Sequence, residues 1–413
     1  MARPGTGGPY RRLLTATGLS NLGDGVRAAA LPLLAASLTD RPVLIAGVAA
    51  AGSLPWLLFG PVAGVVIDRT DRRRLAAGAD LGRFLLLGVL VVAVAGNAAG
   101  LPLVYLVALG CGIAETFRDT ATATLVPPLV RGDRLDVANG HLVNAEVAGN
   151  ELLGPPLGGY LFGVAVALPF ALNGGVLAVA AALIFSLPHL FAPAAPGGAD
   201  RRPGPGPGSL VSIWHDLVEG ARFLARHRRL RTAALLGAVL ALADSAWYPI
   251  LVVYTRQILD LPAAGFGLLL SVGAVGGLAG AFSAARITRR TGTTTTITGA
   301  LVTAAVAQAV LGLTGHPAAA GAALAASSFA FGGWNVATMT LRQRLAPPGM
   351  LGRVNGSYRT LLLGMEPVGA LAGGAVAGAL GIRAPFLLGV PVLLAAAVLG
   401  HRSLRSADAG RAG

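Results

Sequence analysis

Several ionisable residues stand where the chain is otherwise apolar. Asp24 and Arg27 lie three apart in one apolar stretch, and Asp80 and Arg83 in another. Glu115, Arg118 and Asp119 crowd a third, while Glu146, Glu151, Asp244 and Glu366 interrupt others. Carboxylates in such surroundings suit proton transfer, because a carboxylic acid in a low-dielectric site has its pKa raised toward neutrality. Without its proton, the same group attracts a cation, and competition between the two is the minimal chemistry of exchange. Other chemistries find no constellation. His141, His189, His215, His227, His316 and His401 lie mostly in loops or at the ends of apolar stretches, and none has metal-ligand spacing with a cysteine. No nucleophile–base set stands out, and the glycine-lysine pattern that cradles nucleotide phosphates is absent. The residues predict no enzyme, no metal and no cofactor.

The elements that position these charges are membrane helices. Of the 413 residues 54% are hydrophobic and 12% charged, whereas soluble domains carry roughly 25% charged residues. A helix crossing the hydrocarbon core needs about 20 mostly apolar residues. Polar and Pro/Gly-rich punctuation leaves twelve such stretches, near 12–37, 43–67, 75–96, 101–124, 137–163, 167–187, 232–258, 262–285, 294–314, 317–341, 355–380 and 384–400. The first directly follows MARPGTGGPYRR without a small-residue cleavage site, which predicts a retained span rather than a signal peptide. The lone Cys111 allows no intrachain disulfide.

All 32 basic residues are arginine, and the formal charge is +14. With the N-terminus inside, one side of the membrane receives Arg11, Arg12, Arg69, Arg72, Arg73, Arg74, Arg131, Arg134, the 201–231 cluster, Arg286, Arg289, Arg290, Arg342, Arg344, Arg353 and Arg402. The opposite loops hold only Arg41, Arg256 and Arg383. By the positive-inside rule both termini are cytoplasmic, and the basic charge needs no nucleic acid to explain it. The longest loop divides the spans six and six, which predicts bundles over 1–187 and 232–413 joined by a linker over 188–231. Its Pro/Gly part is flexible, and LVSIWHDLVEGARFLARHRRLR reads as an amphipathic helix lying on the inner leaflet.

The two halves echo each other. Asp24 matches Asp244, Arg69 matches Arg289, and Pro127-Pro128 matches Pro347-Pro348, each at an offset of 220. Asn139-Gly140 matches Asn355-Gly356 at 216, and at that offset Asn150, beside Glu151, meets Glu366.

This pattern resembles the major facilitator transporters, whose parallel six-span halves enclose a central site and rock to give alternating access. After span 2, GPVAGVVIDRTDRRR is similar to the facilitator motif G-x-x-x-D-R-x-G-R-R through Gly64, Asp68, Arg69, Arg72 and Arg73, with Asp71 in place of the later glycine. The resemblance implies a cytoplasmic latch there, Asp68 facing a helix N-terminus and the arginines pairing with acids such as Asp133 or Asp136. In span 5, GNELLGPPLGG resembles the G-P-x-x-G-G core of drug/proton antiporters through Gly154, Pro155, Gly158 and Gly159. Glycines at a spacing of four allow close helix approach, and prolines bend a span whose freed carbonyls neighbouring helices cover. The element around Arg134, Ala138, Asn139 and Gly140 is similar to one in the enterobactin-exporter and macrolide-efflux group, while the span-4 R-x-x-Q-G of some antiporters is missing.

The fold so implied is an all-α membrane protein of twelve helices in two pseudo-symmetric six-helix bundles. A charge at mid-bilayer costs about 2.5–3.5 kcal/mol on insertion scales, so each needs a role. Depth along antiparallel spans 3 and 4 predicts a structural Arg83–Asp119 pair. In this fold spans 1, 4 and 7 line the cavity, making Asp24, Arg27, Glu115 and Asp244 candidates for proton coupling, with Arg27 neutralising one acid. Trp334 and Asn335 are candidates for the cavity wall, packing being the other role open to the tryptophan. Glu146, Glu151 and Glu366 fall to the seam between halves. The expected function is export of a small amphipathic molecule in exchange for protons, by a monomer in the bacterial inner membrane. An importer or lipid flippase on the same fold, or a non-transporting membrane protein, is the alternative.

Overall fold

The computed structural model describes residues 8–130, 134–188, 210–347 and 350–409. These are almost wholly helical, with no strand among the described residues. The helices are α1 (Gly8–Leu38), α2 (Pro42–Arg69), α3 (Arg72–Ala95), α4 (Leu101–Leu125), α5 (Leu135–Glu146), α6 (Gly154–Val164) and α7 (Leu168–Phe185). They continue as α8 (Leu210–Arg226), α9 (Arg228–Trp247), α10 (Leu251–Gln257), α11 (Ala263–Thr291), α12 (Thr293–Leu313), α13 (Pro317–Leu345), α14 (Leu351–Leu380) and α15 (Ala384–Ala409). Among the described residues, nine elements are long and apolar enough to cross a membrane. Three expected spans lie outside that set for three reasons. α1 carries Arg11, Arg12, Asp24 and Arg27; span 5 is broken between α5 and α6; α13 is built largely of Ala, Gly and Ser.

The described residues fall into two compact units, one within Met1–Leu38 and Ala51–Ile213, the other within Thr39–Ala50 and Trp214–Gly413. The start of α2 groups with the second unit because Gly374 of α14 admits its backbone: a Cβ there would stand 2.7 Å from Val43 Cα.

Span 5 shows how its sequence shapes it. Prolines 155 and 156 have no N–H to give, so the preceding turn widens into a π-helix over Val147–Leu153 and α6 starts afresh at Gly154. The Gly154 N–H donates to the Gly149 carbonyl, the i→i+5 bond of that turn. The broken segment lies directly against α1. A Cβ at Gly154 would come within 2.5 Å of Gly25 Cα, and one at Gly158 within 2.4 Å of the Val26 carbonyl oxygen. Here the glycines put two backbones in contact and thereby seat Asp24 and Arg27. Gly158→Val is expected to destabilise the fold by about 1–3 kcal/mol, since the added carbons meet backbone that cannot yield. Thermal unfolding in detergent measures this, with Gly163→Val, whose Cβ meets nothing within 4 Å, as the control.

The second unit uses the same device, with Gly373 of α14 against the Ala246 carbonyl of α9. Its helix α8 is pinned to α14: Arg353 binds Asp216 at 2.9 Å and Glu219 at 2.5 Å, and the Ser357 hydroxyl donates to the Leu217 carbonyl at 2.8 Å. Gly220 lets the Arg353 carbonyl approach, and Leu224 is buried in the core, while Trp214, Arg222 and Arg226 stay exposed.

Candidate functional site

Helices α1, α3 and α4 of the first unit bring seven ionisable side chains into one circuit. Arg27 on α1 binds Glu115 of α4 at 2.5 Å and Asp24 of its own helix at 3.3 Å. Asp24 also pairs with Arg83 of α3. Arg83 reaches Asp80 at 3.5 Å and donates to the Ser20 hydroxyl at 3.3 Å. Asp80 lies 3.6 Å from Arg118 of α4, which binds Asp119 at 3.0 Å and donates to the Ala16 carbonyl at 3.4 Å. The chain of pairs thus leaves α4 at Glu115 and returns to it at Asp119, one helical turn away.

Exposure is graded along this circuit. Arg83 and Asp80 are 0% exposed, Glu115 19% and Asp119 37%. Three guanidinium groups face four carboxylates, leaving one formal negative charge in excess. Asp80 Oδ2 is buried with no hydrogen-bond partner among the described residues, so its pairing rests on Oδ1 alone. One added proton or one cation makes the set neutral. That is the chemistry the arrangement can perform.

In the second unit the acid related by the repeat sits differently. Asp244 on α9 accepts from Trp247 Nε1 at 3.3 Å and from Gln308 Nε2 of α12 at 3.1 Å. No arginine lies within salt-bridge reach of it among the described residues. Gly389 of α15 makes room for Gln308, since a Cβ there would stand 2.1 Å from Gln308 Oε1. One half therefore holds a paired network and the other a carboxylate among neutral donors.

The family model of the Major Facilitator Superfamily matches residues 13–365, a range that holds the whole circuit, Asp244 and Gln308. The chain belongs to this superfamily. It is 28% identical over 407 residues to the multidrug efflux pump Tap of Mycolicibacterium fortuitum, covering 94% of both chains. Among solved structures it superposes on the nucleoside transporter NupG with a TM-score of 0.74 at 11% identity, covering 95% of this chain and 99% of that one. A bacterial homologue of the iron transporter ferroportin, captured inward-facing, gives 0.71 at 19%, covering 96% and 98%. At such identities these two structures establish the shared fold alone.

Much of the expected latch after α2 lies outside the described residues. Gly64, Asp68, Arg69, Asp133 and Asp136 have side chains outside the described residues. Arg73, however, donates to the Phe185 and Leu187 carbonyls at 2.9 and 2.6 Å and lies 5.0 Å over the Phe185 ring. It thus satisfies the open carbonyls at the end of α7, where a cation is also favoured by the helix dipole. Arg72 donates to the Thr124 carbonyl at 3.4 Å. Asp71, at the position of the facilitator glycine, is the N-cap of α3, its side chain accepting from the Arg73 and Arg74 N–H groups. Asp71→Ala is expected to cost about 1 kcal/mol and Asp71→Gly only a few tenths, read as unfolding midpoints in detergent.

Other expected placements need correction. The Arg83–Asp119 pair does not form; Arg83 takes Asp24 and Asp80, and Asp119 goes to Arg118. Trp334 does not line a cavity. It is 0% exposed in the core of the second unit, donating to the Tyr358 hydroxyl at 3.2 Å, while neighbouring Asn335 is exposed. Glu146 and Glu151 are exposed on the broken span and Glu366 is half-buried on α14; Gly154, Pro155, Gly158 and Gly159 are buried. Sequence reasoning did not assign Ser20, Asp80, Trp247 or Gln308 to a site. A signal existed for Gln308, a lone amide inside an apolar stretch that needs a buried partner.

Proposed function

We propose that this chain exports small amphipathic organic molecules by alternating access, driven by the counterflow of protons. The observation that carries this reading is the buried circuit with one carboxylate more than it has guanidinium groups. Glu115 is the proton acceptor, because it is partly accessible and its one arginine partner, Arg27, comes from another helix, whereas Asp119 pairs within α4. Its protonation releases Arg27 from α4 and leaves that arginine to Asp24 on α1. Asp244 then offers a negative charge held only by neutral donors, suited to a cationic substrate. The relative named a multidrug efflux pump supports organic molecules as cargo and export as the direction. The protein works as a monomer in the bacterial inner membrane, with its arginine-rich loops and both termini cytoplasmic, and the two halves rock during the cycle.

Reconstitution in liposomes with an imposed pH gradient tests the reading, using a panel of cationic and anionic drug-like compounds. Gradient-driven accumulation of at least one compound is the expected result. Flux that is the same with and without the gradient, across the panel, overturns proton coupling.

A further inference from the structure

Away from the charge circuit, α12 and α15 of the second unit pack side by side and leave a groove of about 560 Å³. Thr298, Gly299 and Val302 line it from α12, and Val398, His401 and Arg402 from α15. The groove is open: a Cβ on Gly299 would meet nothing within 4 Å, and Val302 and Val398 are 42% and 52% exposed. Both helices are long and apolar enough to cross a membrane, so what lies along such a surface is lipid. The polarity is graded. His401 and Arg402 stand near the end of α15, His401 Nδ1 within 3.1 Å of the Thr298 hydroxyl, while Val302 and Val398 lie deeper. No acid is within salt-bridge reach of Arg402 among the described residues. Arg405 stands about one turn further along α15. A basic mouth above an apolar channel is complementary to an anionic headgroup with its acyl chain, and the cytoplasmic leaflet supplies anionic lipid.

We infer that the α12–α15 groove binds one anionic phospholipid, its phosphate at Arg402 and His401 and its acyl chain along Gly299, Val302 and Val398. The leaflet assigned to it rests on the cytoplasmic placement of the arginine-rich loops proposed above; the binding itself does not. Native mass spectrometry of the full chain, from micelles holding equal phosphatidylglycerol and phosphatidylcholine, tests it independently of orientation and transport. One phosphatidylglycerol is expected to be retained in preference to phosphatidylcholine. Arg402→Ala weakens this retention about five-fold, the effect of one basic residue on an anionic headgroup. Gly299→Leu, filling the open floor, removes it, and Val398→Trp does so from the facing helix should the first variant fold poorly. Arg290→Ala, outside the groove, leaves retention unchanged. Equal retention of the two lipids overturns the site, as does equal weakening by Arg290→Ala and Arg402→Ala. Loss of transport with lipid still retained counts against the exporter reading alone.

Discussion

Asp80→Ala will cost the folded protein about 3–5 kcal/mol, the loss expected when one partner of a buried ionic set is removed. Asp80 is 0% exposed and its Oδ1 is shared by Arg83 at 3.5 Å and Arg118 at 3.6 Å. Removing it takes from two buried guanidinium groups the carboxylate they share, leaving Arg83 to Asp24 and Arg118 to Asp119 in a low-dielectric interior. Asp119→Ala is the discriminating comparison. It removes the same kind of group from the same circuit, but at a site 37% exposed, where water can take the place of the carboxylate beside the buried Arg118. A contact that water can partly replace contributes less than a fully buried one. Unfolding midpoints in detergent should separate the two variants clearly, and equal losses would show that Asp80 is not the centre of the set.

The second large effect concerns function. A gradient of one pH unit is worth about 1.4 kcal/mol per proton, or about tenfold accumulation of substrate in one-for-one exchange. Glu115→Gln should bring that ratio down to about one in reconstituted liposomes while downhill flux continues. The substitution makes three carboxylates face three arginines, so no excess charge remains to take up a proton, and Arg27 keeps Asp24. Asp244→Asn should act differently. The asparagine oxygen still accepts from Trp247 and Gln308, so stability stays close to that of the parent, but the charge is gone. Uptake of cationic compounds falls, and uptake of neutral ones is retained. If both variants affected every compound alike, assigning separate roles to the two acids would be wrong.

Part of this site is visible in the chain because membrane helices impose simple rules. An acid in an apolar stretch of about 20 residues is expensive and therefore conspicuous, so hydropathy alone singles out Asp24, Glu115 and Asp244. The i,i+3 spacing of Asp24 and Arg27 places them on one face, and their 3.3 Å contact follows from local geometry. Likewise, glycines at positions 154 and 158 announce close helix contact, and the partner, α1, is the helix that carries the charges.

Other features depend on distances no local rule supplies. Depth alone makes Arg83 and Asp119 natural partners, since both lie at similar heights on adjacent spans. The actual partners are decided by rotation of α1, α3 and α4 about their own axes, which turns Arg83 toward Asp24 and leaves Asp119 to Arg118, its neighbour on α4. Trp334 fails as a cavity residue for the same reason: its place on α13 is compatible with either face, and packing against Tyr358 of α14 decides it. The docking of α8 on α14 is not legible in the chain because Arg353 lies 134 residues beyond Glu219, a pairing no periodicity contains. By itself the sequence determined the membrane class, the repeat and which charges must be accounted for, because hydropathy and spacing are local properties. Only the tertiary structure decided which charges neutralise one another, since pairing is set by helix rotation and close approach between segments far apart in the chain.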